Sequence, residues 1–213
     1  MDLLLWIIIG ANVAVSIKAI NDSYFFSKYE FRVGAIANGE QLRMLSSGFL
    51  HADFMHLAFN MFTLYFFAPT VLAHLNELYF VFLYLGSLVG GNLLTLYFYK
   101  NNPGYRAVGA SGAVMGVVYA AILLEPSMNL YFYFIPIPIP GYVFGVGYLL
   151  YSIYGMKAKR DNIGHAAHFG GAITGYLLVI MQDLSILTSN TKMVLLLLIP
   201  IAVLWYMYKN DKL

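Results

Sequence analysis

The sequence predicts an all-α protein, a polytopic membrane helical bundle, and three observations predict it. Hydrophobic residues make up 61% of the 213 residues and charged ones only 10%, with a mean hydropathy of +0.72. A soluble domain carries about 25% charged residues, so this chain lacks the polar groups to cover a water-facing surface. Seven apolar runs lie at 3–20, 54–72, 78–99, 108–124, 139–156, 163–181 and 193–208. The last six contain no Lys, Arg, Asp or Glu, and the runs are solid rather than alternating. A β-barrel would need alternating segments of about ten residues. Seven helical spans of roughly 20 residues each therefore account for most of the chain.

The first run follows Asp2 rather than a basic segment, and no small-x-small cleavage signal stands after it, so it reads as a retained span. Lys18 near its end is placed to snorkel to the interface. The connection 21–53 is the one long loop; a loop beyond about 15 residues is usually functional or disordered. Its Phe25, Phe26, Phe31, Leu42, Met44 and Leu45 suit a fold at the membrane interface. The run Phe134-Ile-Pro-Ile-Pro-Ile-Pro140 excludes regular helix, because alternate prolines remove donors and push the residues before them to extended geometry. It reads as an extended entry to the fifth span. The seventh span is the shortest and holds Pro200. The organisation expected is a core over 1–185 and an extra C-terminal helix with a short tail over 186–213.

A net charge of +2 and the lack of any basic run give no support for nucleic acid. With no cysteine, disulfide frameworks, thiolate metal sites and cysteine nucleophiles are excluded. Polar residues inside spans are costly and by default functional. His56 and Asn60 lie at i, i+4 on the second span, Gly109-Ala-Ser-Gly112 opens the fourth, and Gly164-His-Ala-Ala-His168 opens the sixth. These spans start on the same membrane side by parity. At about 1.5 Å per helical residue, all four polar groups reach similar depth. Gly112 with Gly116, and Gly171 with Gly175, are small-xxx-small pairs that let backbones approach closely. Packing them together would bring Ser111 toward His168, a serine with a histidine base. His56 and Asn60 would then serve an oxyanion. No acidic residue lies within a span and no H-E-x-x-H occurs, which excludes paired-aspartate and zinc intramembrane proteases.

At these residues the sequence resembles the rhomboid intramembrane serine proteases. The matching motifs are Gly109-Ala-Ser111-Gly112 with Gly116, His56-x-x-x-Asn60, and Ala167-His168-x-x-Gly171-x-x-x-Gly175. The resemblance covers the first six spans and implies a six-helix core to which the seventh is an addition. It implies Ser111 as nucleophile, His168 as general base, and His56, Asn60 and the Ser111 N–H as oxyanion donors. It further implies an interfacial first loop beside the site, transmembrane segments of other membrane proteins as substrates, and no cofactor. Two positions depart from the usual pattern: Leu42 precedes Arg43 where Trp is common, and Met115 stands where an aromatic often stacks on the histidine.

Each polar residue also has a plainer reading. Ser111 and Asn60 could be helix-packing residues, as Ser and Asn often are in membranes. His56, His165 and His168 could hold a metal, although His165 is read as a cavity-lining or structural residue. His51 and His74 read as interfacial, with His51 able to contact the active-site loop, and Asn12, Asn92 and Thr95 as interhelical contacts. A catalytically silent rhomboid-fold protein that binds transmembrane helices, and a histidine-based metal or ion transporter, are the alternative functions.

With seven spans, eleven of the twelve basic residues fall on the side of the catalytic motifs and Lys192 alone on the other. The positive-inside rule turns that side to the cytoplasm. Resemblance to bacterial rhomboids implies a multi-pass cell (inner) membrane protein with the active site facing outward.

Overall fold

The computed structural model of the chain describes residues 3–132, 135–158, 164–210 and 212. Phe134, Lys159, Arg160 and Asp161 lie outside the described residues. Helix α1 covers Leu3–Asn21. The long loop folds into α2 (Ser23–Tyr29), β1 (Phe31–Arg32), α3 (Val33–Ala37), α4 (Arg43–Ser46) and a 3-10 turn at Ser47–Phe49. Then come α5 (Phe54–His74), α6 (Glu77–Tyr99), β2 (Arg106–Ala107) and α7 (Ser111–Leu124). A hairpin of β3 (Asn129–Phe132) and β4 (Ile135–Pro140) leads into α8 (Gly141–Ala158), α9 (His165–Gln182), α10 (Ile186–Ser189) and α11 (Thr191–Lys209).

Local chemistry sets these ends. Asp22, Asp53 and Asn76 cap α2, α5 and α6 by accepting from the amides of Phe25, His56 and Tyr79, as short polar side chains do at helix starts. The Pro-alternating segment is extended, and it is also half of an antiparallel pair, with Leu130 opposite Ile139. Sequence periodicity gave no sign of its partner strand.

The chain is a polytopic helical bundle. Helices α1, α5, α6 and α11 are each long and apolar enough to cross a membrane. Helix α7 has only 14 residues, about 21 Å at 1.5 Å per residue against a hydrocarbon thickness near 30 Å. It begins at Ser111 rather than at Val108, because β2 pairs with β1 and Gly109 takes φ +125°, a conformation that only glycine adopts without strain. Residues 112 to 123 of α7 are all buried, so this helix sits inside the bundle and needs no lipid-facing length.

Helices α6, α7 and α9 pack backbone against backbone. A side chain added at Gly171 would stand 1.9 Å from the Gly112 carbonyl oxygen, and one at Gly175 would stand 2.3 Å from that of Gly116. Helix α11 lies on α8, with Leu197 fully buried. It is tied in by Tyr176 Oη donating to Val194 O at 3.1 Å and Asn190 Nδ2 to Leu123 O at 3.3 Å. The hydroxyls of Tyr97 and Tyr208 meet across α6 and α11.

Polar residues inside the bundle bridge elements in most cases. Asn12 Nδ2 reaches Tyr84 Oη on α6 at 3.2 Å, and Asn92 Nδ2 reaches Met44 O at 2.8 Å and Ser47 Oγ at 3.2 Å. Thr95 instead donates to Gly91 O of its own helix, which corrects its reading as an interhelical contact. An i−4 carbonyl is always within reach of a helical Thr.

Candidate active site

The first loop is the scaffold for the turn that precedes α7. Arg43 is buried, donating from Nη1 to Ser27 O (2.8 Å) and Glu30 O (2.9 Å) and from Nε to Glu40 Oε2 (2.8 Å). Leu42 beside it is 64% exposed, so the arginine organises the loop without an aromatic neighbour at that position. Ser47 O accepts from Gly109 N–H at 3.0 Å, and the next amide, Ala110 N–H, donates to His51 Nε2 at 3.3 Å.

That second bond fixes the state of His51. Since Nε2 accepts, the ring proton is on Nδ1, which lies 2.8 Å from Ser16 Oγ. Ser16 in turn donates to Phe49 O at 2.9 Å, so every polar atom in this relay has a role only if His51 is neutral. Burial, reinforced by the nearby His56 and opposed by Asp53, pushes the His51 pKa down to about 3. With Gly109 and Ala110 engaged by the loop, the Ser111 amide is the next donor in line. As the first residue of α7 it has no intrahelical acceptor, and it stands at the positive end of the helix dipole.

Helix α5 supplies the other wall. The His56 ring lies over Gly109, where an added side chain would come within 2.8 Å of its Nε2, and it meets His51 edge to face at 5.0 Å. Asn60, one turn on, is 7% exposed and donates one N–H to His56 O at 3.0 Å. The second N–H of its amide remains for another acceptor.

Helix α9 brings His168 in from the opposite side, seated by the Gly112–Gly171 contact. Its Nδ1 lies 2.6 Å from Tyr148 Oη of α8, with the two rings 5.7 Å apart and 29° from parallel. No spacing motif pointed to Tyr148. The only sequence hint was the missing aromatic at Met115. Ser111, His56, Asn60 and His168 all line one cavity of about 730 Å³, together with Met115, Phe144 and Tyr148. Among the described residues, no hydrogen bond joins Ser111 to His168. Such bonds are often long in ligand-free sites.

An ion pair also lines the cavity, Arg106 Nη1 with Glu30 Oε1 at 3.2 Å. Burial raises the Glu30 pKa, with Arg106, Arg43 and Arg32 opposing. His165 is turned into the α8–α9 seam against Gly155 and Tyr151. Among the described residues, no three His, Cys, Asp or Glu side chains are grouped to hold a metal ion. His74 is exposed, with Nδ1 against Thr70 O of its own helix.

A membrane bundle whose cavity collects a helix-starting serine, a histidine and an Asn–His pair defines a class of intramembrane site. The rhomboid domain model matches residues 38–183, and the chain belongs to the rhomboid family. It is 27% identical over 181 residues to "RHOMBOID-like protein 12, mitochondrial" of Arabidopsis thaliana, covering 78% of this chain and 54% of that protein. It is 28% identical over 143 residues to "Rhomboid protein 1, mitochondrial" of Saccharomyces cerevisiae, 64% of this chain and 40% of that one. With "Putative rhomboid protease YdcA" of Bacillus subtilis it shares 40% identity over 92 residues, 42% of this chain and 45% of that protein. The chain thus spans about half the length of these relatives.

Proposed function

We propose that the protein is a serine-type intramembrane endopeptidase that cleaves transmembrane segments of other membrane proteins near the membrane boundary. The observation that carries this is the single cavity lined by Ser111, His168, His56 and Asn60. Ser111 Oγ attacks the scissile carbonyl while His168 takes its proton and later passes it to the leaving amine. The oxyanion is received by the Ser111 N–H, the free Asn60 N–H and His56, donors held before the substrate arrives. A helical peptide bond is already hydrogen-bonded and shielded, so the substrate must unwind locally to enter. No cofactor takes part.

Purified protein in detergent should cleave a model transmembrane substrate, and Ser111→Ala and His168→Ala variants of unchanged fold should not. Cleavage surviving in either would overturn the dyad. A binding-only role is the competing reading, and in its favour Ser111 and His168 share a cavity without a hydrogen bond between them. Labelling of Ser111 by a serine-reactive phosphonate separates the two, since a binding-only site would not react.

The orientation we propose, in a cell membrane, turns the cavity outward, against the bias of basic residues. Because the chain has no cysteine, Lys157→Cys gives a single reporter on the cavity side. Reaction with an impermeant maleimide in intact cells supports the orientation. Reaction only after lysis reverses it.

A further inference from the structure

We propose that Tyr148 is the positioning residue for the base, doing through a phenol what a carboxylate does for the histidine of a serine triad. The inference rests on the protease reading of the cavity. A histidine base must present one nitrogen bare to the serine and keep its proton on the other, and something must hold the ring in that tautomer and rotation. Among the described residues, the acidic side chains that line the cavity are Glu30 and Asp53, on the first loop and just before α5, whereas His168 is carried by α9.

Tyr148 of α8 meets His168 directly. Its hydroxyl lies 2.6 Å from Nδ1 and its ring is offset against the imidazole. Tyr148 is itself steadied by Phe144 one turn earlier, whose ring lies 5.8 Å away at 24°. With Nδ1 engaged, proton transfer from Ser111 is assigned to Nε2. In the productive state Nδ1–H donates to the Tyr148 oxygen and the Nε2 lone pair accepts the serine proton. When that proton arrives, the imidazolium keeps the same Nδ1–H···O bond, so no partner has to be exchanged during the step. A phenol is neutral throughout and can be buried in the bundle without the desolvation cost of an ionised carboxylate. The stacking ring that position 115 does not supply is thereby provided from α8.

The experiment compares Tyr148→Phe, which keeps the ring and deletes the hydroxyl, with Tyr148→Leu, which deletes both. For Tyr148→Phe we expect kcat to fall about tenfold with KM unchanged, and for Tyr148→Leu a larger fall. In parallel, the ¹⁵N resonances of the His168 ring, assigned by difference from His168→Gln, should show the Nδ1–H tautomer in the wild type. That tautomer should lose population in Tyr148→Phe. A Tyr148→Phe variant with kcat within twofold of wild type and unchanged ring resonances overturns the proposal. If the wild type neither cleaves nor reacts with a phosphonate, the protease reading fails by itself. The resonances then still decide whether Tyr148 sets the tautomer.

Discussion

Two sides of the cavity hold their parts by opposite means. Along α7 and α9, Gly171 faces the Gly112 carbonyl and Gly175 that of Gly116, so Ser111 and His168 ride on two backbones in contact. On the α8 side the neighbours are rings, Phe144 and Tyr148, and α8 meets the core through side chains: Tyr119 Oη donating to Gly145 O at 2.7 Å, and Tyr148 on His168. A backbone seam has no rotamers, and in packing this close an added atom has nowhere to go. A seam of side chains can yield by rotation. Ser111 and His168 thus sit on the part of the molecule that cannot adjust, while Tyr148, which meets His168 Nδ1, comes from the part that can.

The sharpest way to break this contrast is Gly171→Ala. A methyl group there would collide with the Gly112 carbonyl at 1.9 Å, and we expect a loss of about 3 kcal/mol or more, read as a fall in Tm in detergent. An unchanged Tm would show that the seam is not rigid. Next comes Asn60→Ala, which removes a donor from the cavity wall without touching either seam. It should lower kcat about 10²-fold with Tm close to wild type, whereas a Tm loss matching the activity loss would reduce Asn60 to a packing residue.

His51→Ala tests whether the turn before α7 depends on the first loop. It strands the Ala110 N–H and removes the donor to Ser16 Oγ, which keeps its own bond to Phe49 O, at a cost of about 1–3 kcal/mol together with reduced activity. The same residue carries a pH signature. Burial holds the His51 pKa of the folded chain down to about 3, against an ordinary 6.5, so between these values the unfolded chain binds a proton that the folded one does not. Stability must therefore decline as pH falls from 6.5 toward 3, by at most about 1.4 kcal/mol per unit from this group. His51→Gln should flatten that slope, and a slope unaltered by the substitution would reassign it to another group. The smallest effect is expected from Gly145→Ala on α8. Its methyl would meet the Ile122 Cδ1 at 3.0 Å and Leu197 Cδ2 at 3.4 Å, flexible ends that can move, at a cost under about 1 kcal/mol. A loss as large as that of Gly171→Ala would erase the distinction between the two sides.

Much of this was legible in the residues alone. Apolar run length placed α1, α5, α6, α8, α9 and α11 to within a few residues, because in a membrane each span must satisfy its own backbone. Run length could not show where the fourth span truly starts, since Val108-Gly-Ala is as apolar as the helix after it. The pairing of Phe31 with Ala107 and Arg32 with Arg106 ends the extended segment and lets the helix begin at Ser111. A pair of two-residue strands so far apart in the chain leaves no periodic trace.

The candidate site divides in the same way. His56, Asn60, Ser111 and His168 stood out because a polar group in an apolar run is costly and therefore conspicuous. Tyr148 did not, being one of 18 tyrosines in a chain where aromatic residues are ordinary at span ends. His51 read as interfacial and able to contact the active-site loop, but its neighbours in sequence do not show which groups it bonds to. The companions of its hydrogen-bond relay, Ser16, Phe49 and Ala110, come from three separate segments.

The sequence by itself determined that this is a helical membrane bundle, which glycines would permit close approach, and which polar residues would share a depth. These are consequences of hydrophobicity and helical period, properties of short stretches of chain. Only the tertiary structure decided which amides of the turn before α7 are already occupied, and that a phenol from α8 meets His168 Nδ1. Hydrogen-bond pairing depends on distances of a few tenths of an ångström between segments remote in the chain, and no local pattern encodes those.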